Sequence, residues 1–498
     1  MKKLFLAIAV LTAMHVFAQN DAVVRYANTI TPASLKAKLS VIASAEMEGR
    51  ETATPGQKRA AAYIENHFKN LGLLPGTSSG YQMHYPIYVD TLMDASLTIN
   101  GKKLALGQDY SVEINSIPTG NWIINSIVYA GAGVVSETKD DYKGLNVKNQ
   151  WVLIDEGTSA ETTPVRRLGL LRRKVEQARL KGAKGVVLIT SDFPKKNLSL
   201  KGNMYLKKGI TNAPTLSISY QVASSIFNQP VDSSADLSKI QPSSLNTKTH
   251  LYVYKRAIML ESSNVIGVMP GTDKKDEYVL LTSHYDHIGK RGNDIYYGAD
   301  DDGSGTTSVL QMAEAFAEAK AGGYGPRRTI VFMTVSGEEK GLLGSEFYSE
   351  NPVFPLNKTS VDLNTDMVGR IDPNRKEGDS TNYVYIIGED KLSSDLIKIT
   401  DSVNSQYSKL EIDRRFNAND PNRYYYRSDH YNFAKKGVPI MFYFNGTHAD
   451  YHRTTDTVDK INFDLMAKRV KLIFNTAWVI ANRSEMLKRD IPLKKKNT

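Results

Sequence analysis

Tyr278-Val279-Leu280-Leu281-Thr282-Ser283-His284-Tyr285-Asp286 begins as a short apolar run and ends on residues able to bind a metal. The run reads as a buried strand. The pattern recurs downstream. Thr329 to Val335 reads as a strand ending at Ser336-Gly337-Glu338-Glu339. Val361 to Leu363 leads to Asp366, and Val438 to Phe444 leads towards His448 and His452. A helix is expected over Thr306 to Ala321, and Phe463 to Lys488 reads as a long amphipathic closing helix. Strands alternating with helices predict an α/β layer fold with a mainly parallel sheet.

In open α/β sheets, ligands bind along the edge formed by the carboxyl ends of the strands. Four such ends here deliver His284-Tyr285-Asp286, Glu338-Glu339, Asp366 and the His452 loop. A fifth group, Gly298-Ala299-Asp300-Asp301-Asp302-Gly303-Ser304-Gly305, precedes a helix. Each alone has a bland reading. His-x-Asp occurs at ordinary strand ends. Three successive Asp need a cation or solvent to offset their repulsion, and a solvated turn would provide the latter. Glu338-Glu339 could open a helix, where carboxylates suit the dipole. In this order, and mostly at strand ends, they point together to a metal site.

Working outward, Thr31 starts a helix over Pro32 to Ala45, and Gln57 to Leu71 forms another with Ala60, Tyr63, Ile64 and Phe68 on one face. Between about Asp90 and Lys255 the texture changes. Short β-like runs such as Trp122 to Tyr129 and Gln150 to Ile154 alternate with turns, followed by a helix over Leu170 to Lys181 and a buried strand over Val186 to Thr190. No catalytic spacing occurs there, which suggests an inserted domain.

The chain has 498 residues, 41% hydrophobic and 23% charged, which fits a globular protein of two or three domains. Its net charge is +10, but Lys and Arg are scattered rather than gathered on one element, so nucleic acid is not expected as a partner. There are no cysteines, so any metal is held by His, Asp and Glu, which suits zinc at a catalytic site. Lys2 and Lys3, the apolar stretch Leu4 to Val16 and Val16-Phe17-Ala18 read as an export signal over residues 1–18. No other stretch has the length and apolarity of a membrane helix. The mature chain is therefore expected outside the cytoplasm, periplasmic or secreted, with no integral membrane segment.

In combination the motifs resemble the zinc exopeptidases related to bacterial leucyl aminopeptidase and glutamate carboxypeptidase II. The matching stretches are Ser283 to Asp286, Gly298 to Gly305, Ser336 to Ser345, Asp366-Met367, Tyr425 through Ser428-Asp429-His430, and Tyr451-His452. Glu48-Gly49-Arg50 resembles the stretch that opens the family's domain. The resemblance implies a three-layer α/β/α zinc-exopeptidase fold with a mainly parallel mixed sheet. It also implies an inserted β-rich, protease-associated-like domain. The expected division is a catalytic domain at 19–89 and 256–490, the insertion at 90–255 and a basic tail at 491–498.

Carried over by position, the resemblance implies two zinc ions per chain. His284 and Asp366 would hold one, Glu339 and His452 the other, and Asp301 would bridge both. Asp286 would accept the free N–H of His284 and fix its tautomer. Glu338 matches the family's general base, and Tyr425 a tyrosine that donates to the oxyanion, although Tyr424 and Tyr426 flank it. His287, His430 and His448 match no ligand position and are expected in supporting roles. Met312, Ala313, Phe316 and Ala317 read as core.

Peptides are the expected substrates, and an aminopeptidase removing N-terminal residues is the leading reading. A carboxypeptidase would need an arginine-rich pocket, for which Arg414, Arg415, Arg423 and Arg427 are candidates. A glutaminyl cyclase would use one zinc, and an inactive binding module would lose ligands.

Overall fold

The protein is described by a computed structural model covering residues 21–157, 164–208 and 213–493, with side chains described except at 164–166. The export signal and Lys494-Lys495-Lys496 lie outside the described residues. The chain divides into two compact units, Met1–Pro86 with Glu261–Thr498, and Ile87–Leu260.

The first unit is an α/β fold around a mixed sheet. Its strands lie in the order Glu411–Asp413, Tyr383–Ile387, Ile440–Phe444, Thr359–Thr365, Lys274–His284, Arg328–Val335, and then residues 265–269. Ile440–Phe444, Thr359–Thr365, Lys274–His284 and Arg328–Val335 are mutually parallel. Tyr383–Ile387 and residues 265–269 run antiparallel to their inner neighbours.

Period-2 alternation divides the strand side chains between two faces. Val279, Leu281, Ile330, Phe332, Val361 and Leu363 pack in one cluster with residues of the helices Pro32–Ile42, Pro55–Asn70, Gly305–Ala321 and Phe463–Asn482. Leu280, Val331, Met333 and Phe442 pack in another with Tyr348 of Leu343–Glu350 and Phe433 of His430–Ala434. Both faces are covered, as central parallel strands require, and the strands are buried along nearly their whole length.

Local signals act where expected. Thr31 and Ser34 form a reciprocal capping box at the start of Pro32–Ile42. The closing helix stops at Asn482, short of the expected Lys488, because Arg483 turns to extended backbone. Asn482 instead accepts the Arg327 N–H at 3.2 Å. Glu338 and Glu339 do not open a helix; the next one begins at Leu343.

The second unit also carries β-strands. Gly120–Tyr129, Trp151–Asp155, Gly185–Thr190 and Thr215–Ser219 run parallel, flanked by antiparallel partners in residues 243–253 and Tyr110–Val112. Leu153, Val187 and Leu216 pack on one side, and Val152, Val186 and Leu188 on the other. Buried Asp90 accepts hydrogen bonds from Tyr205, Lys208 and Lys255 at 2.9, 3.0 and 2.9 Å.

Candidate metal centre

The four central parallel strands bring their carboxyl ends to one edge of the sheet. His284 ends its strand, Ser336 to Glu339 follow Val335, and Asp366 follows Thr365. The loop after Phe444 carries His448 and His452. The aspartate loop joins them from the turn ahead of Gly305–Ala321.

The three successive aspartates do three different things. Asp300 accepts the Gly369 N–H at 2.7 Å and meets His448 Nε2 at 3.1 Å. Asp302 accepts the N–H groups of His284, Gly305 and Met367 at 3.1, 2.8 and 3.1 Å, joining three ligand-bearing segments. Asp301 turns its two oxygens to two different places. Its Oδ1 lies 3.4 Å from His284 Nε2, and its Oδ2 lies 3.0 Å from His452 Nε2. The peptide between Asp301 and Asp302 is cis.

Around Asp301 two donor groups assemble. In one, the ligand atoms of His284, Asp301 and Asp366 lie within 4.8 Å of one another. In the other, those of His287, Asp301 and Glu339 do so. His452 Nε2 adjoins the second, 3.3 Å from Glu339 Oε2. Glu338 Oε2 is 3.8 Å from His284 Nε2. The structure thus brings together all five residues expected as ligands, with Glu338.

The bonding of these atoms argues for a cation. His284 Nε2, His287 Nδ1, Asp301 Oδ2 and Glu339 Oε1 are buried and have no hydrogen-bond partner among the described residues. Buried polar groups are nearly always satisfied. Here the atoms approach one another closely yet miss hydrogen-bonding directions, as donors aimed at common points between them do. A thiolate-free set of imidazoles and carboxylates fits zinc.

Electrostatics agree. Burial opposes charge on His284, but Glu338 and Asp366 hold its pKa well above the ordinary value. Burial likewise opposes charge on His452, which Asp301 and Glu339 raise to about 10. Burial, with Glu339, Asp366 and Asp429, pushes Glu338 well above the usual carboxylate range. Such an excess of buried carboxylate calls for positive charge.

Asp286 departs in detail from its expected role. The closest acceptor to His284 Nδ1 is the Asp286 main-chain carbonyl, at 3.1 Å, while the carboxylate is 3.7 Å away. That carboxylate instead accepts the Thr52 hydroxyl at 2.6 Å and the Glu338 N–H at 3.2 Å. It therefore ties the base-bearing turn to the histidine-bearing loop.

A narrow cleft adjoins the site, lined by Asp301, Glu338 and Asp366 together with Tyr424, Arg427 and Tyr451 among others. Tyr425 is not on this wall. Its hydroxyl is buried without a hydrogen-bond partner among the described residues. Tyr424 to Tyr426 form one 3₁₀ turn, in which successive side chains point about 120° apart. Of the three, Tyr424 lines the cleft.

Two further residues have surroundings that the sequence does not specify. His287, expected in a supporting role, has a ring nitrogen within 4.8 Å of ligand atoms of Asp301 and Glu339. Arg50, fully buried, donates to the carbonyls of Ile42, Tyr285, Tyr297 and Gly298 at 2.7–2.9 Å, fastening the loops on either side of the site. Burial lowers its pKa to about 10 despite surrounding aspartates, so it stays charged at neutral pH. Arg50→Ala is expected to leave several buried carbonyls unsatisfied and to cost about 3 kcal/mol or more. Thermal denaturation checks this; an unchanged melting temperature would remove Arg50 from the scaffold.

Comparison with known proteins places the chain among peptidase-like sequences and folds. Residues 264–477 match Peptidase family M28. A leucine aminopeptidase 1 from Penicillium rubens is 28% identical over 226 residues, which is 44% of this chain and 56% of that protein. The chain thus spans about half the length of the curated relatives it matches. Among solved structures, an aminopeptidase from Aneurinibacillus sp. strain AM-1 superposes with a TM-score of 0.57 at 19% identity, covering 94% of this chain and 98% of that one. A zinc aminopeptidase from Bacillus subtilis gives 0.55 at 18% identity, covering 93% and 99%.

Proposed function

Because residues 264–477 match Peptidase family M28, we propose that the chain is an exported two-zinc metallo-exopeptidase releasing N-terminal residues from peptides. The observation that carries the two-metal reading is Asp301, whose oxygens face different imidazoles at 3.4 and 3.0 Å. In this reading His284 and Asp366 hold one ion, Glu339 and His452 the other, and Asp301 both. Export rests on residues 1–18 of the sequence. No helix among the described residues is long and apolar enough to cross a membrane. We also propose that residues 90–255 are a protease-associated-like insertion in a catalytic domain of residues 19–89 and 256–490, with 491–498 a basic tail.

A zinc ion held by these residues would supply Lewis acidity to the scissile carbonyl and to the attacking water. The remaining work falls to the chain's own groups. The Glu338 carboxylate takes the proton of the attacking water and delivers it to the leaving amine. Its turn is held by the Asp286 carboxylate through the Glu338 N–H. The aromatic wall around Tyr424 and Tyr451 excludes water from the reacting bond and receives the substrate.

The arginines favour the amino end of the peptide as the point of attack. Arg414 pairs with Glu389 and Asp401, Arg415 pairs with Asp413, and Arg423 lies over the Tyr426 ring at 5.1 Å. Of the four candidates only Arg427 lines the cleft. That is a poor match to a clustered carboxylate pocket. Dipeptides blocked at one end test the choice. Turnover of C-blocked but not N-blocked dipeptides is expected, and the reverse pattern would mark a carboxypeptidase. One zinc per chain with cyclisation of N-terminal glutamine would mark a cyclase, and absence of both zinc and hydrolysis a binding module.

A further inference from the structure

The geometry points to His287 as a third imidazole donor of the metal centre, acting through Nδ1 at the position formed by Asp301, Glu339 and His452. The inference rests on the metal reading above and adds a residue outside the set transferred by resemblance. His287 Nδ1 lies 2.9 Å from Glu339 Oε1 and 3.8 Å from Asp301 Oδ2. His452 Nε2 faces the same two carboxylates at 3.3 and 3.0 Å. The two rings stand 5.8 Å apart with their planes crossed at 72°. Two imidazoles therefore converge on one pair of carboxylates from different directions.

The ring is held there. The His287 N–H donates to the Arg50 carbonyl at 3.3 Å, and Glu51 bridges to His287 across parallel backbone. Gly298, at φ +57, lies flush against the ring: a Cβ there would come within 2.5 Å of His287 Cδ2 and Cγ. Only glycine suits that position on both counts. His287 is completely buried, and neither ring nitrogen has a hydrogen-bond partner among the described residues. An imidazole left so would be costly to bury; a shared cation removes the cost at Nδ1.

The assignment makes the two metal positions unequal. The first has His284, Asp366 and a share of Asp301. The second has His287, His452, Glu339 and the other share of Asp301. The fuller donor set favours the second position as the tighter one and leaves the first more open to water and substrate.

The rival role for His287 is orientation of Glu339 by an Nδ1–H hydrogen bond, and a count of metal-bound imidazoles separates the two. The full chain is loaded with two cobalt(II) ions, and its proton NMR spectrum is searched for paramagnetically shifted, solvent-exchangeable imidazole N–H resonances. Three are expected, from His284, His287 and His452, falling to two in His287→Asn. Titration of that variant with a competing chelator should also show one ion weakened at least ~10-fold and the other unchanged. Two shifted resonances in the unaltered protein carrying two ions would overturn the inference and leave the two-metal reading standing. Failure to bind two ions would overturn both. The decisive count is made on the unaltered chain, so it does not depend on the variant folding.

Discussion

Glu338→Gln is expected to keep its full complement of metal and to lose turnover by roughly 10²–10⁴-fold, the range that a positioned general base supplies. That loss corresponds to about 3–5 kcal/mol of barrier. The substitution removes the proton acceptor and changes almost nothing else. Gln has the same shape, and the Glu338 N–H still reaches the Asp286 carboxylate at 3.2 Å. Glu338 belongs to neither donor group, so the ligand atoms around Asp301 remain. The fold should not suffer, because Gln fills the space of Glu without adding charge. The measurement pairs kcat with metal content per chain on the same sample. Near-normal kcat at full metal content would remove Glu338 from the proton transfers. Loss of metal with activity would instead make it a ligand.

What sequence can and cannot reveal follows from the geometry of this edge. The parallel strands were legible because each is an apolar run broken at a defined end by residues that have no place in a core. His284, Glu339 and Asp366 share that signature, so strand pattern alone brought them to one side of the sheet. The assignment of His452 and of the middle aspartate needed the family resemblance, since both lie on loops. The sequence gives His287 only a supporting role, for a physical reason. Its contact with Glu339 depends on how the loop after His284 folds back against Arg50 and Gly298, segments more than 200 positions and 11 positions away respectively. The sequence assigns Asp302 no role because its work is to accept three main-chain N–H groups, and such a role has no sequence signature. Among three adjacent tyrosines in one 3₁₀ turn, pattern cannot choose which faces the cleft; the backbone turn does.

Asp301→Asn is expected to be the most damaging change of the three in the aspartate loop. The Asn side chain keeps the shape, but one of its two terminal atoms becomes an NH₂ group, a donor that cannot bind a cation. Asp301 presents one oxygen to His284 and the other to His452. Whichever way the amide turns, one metal position loses its shared ligand and meets an N–H instead. Zinc content should fall below two per chain, and turnover should drop ~10³-fold or more, since the several kcal/mol of charge stabilisation expected of a metal pair converts at tenfold per 1.36 kcal/mol. Asp300→Asn tests the specificity of this claim. Its carboxylate serves Gly369 and His448, so that variant should retain both ions while loosening the loop. If Asp301→Asn binds two zinc ions and turns over as fast as the unaltered chain, the bridging role fails. If Asp300→Asn and Asp301→Asn lose zinc equally, the loop acts as diffuse negative charge rather than through one bridging carboxylate.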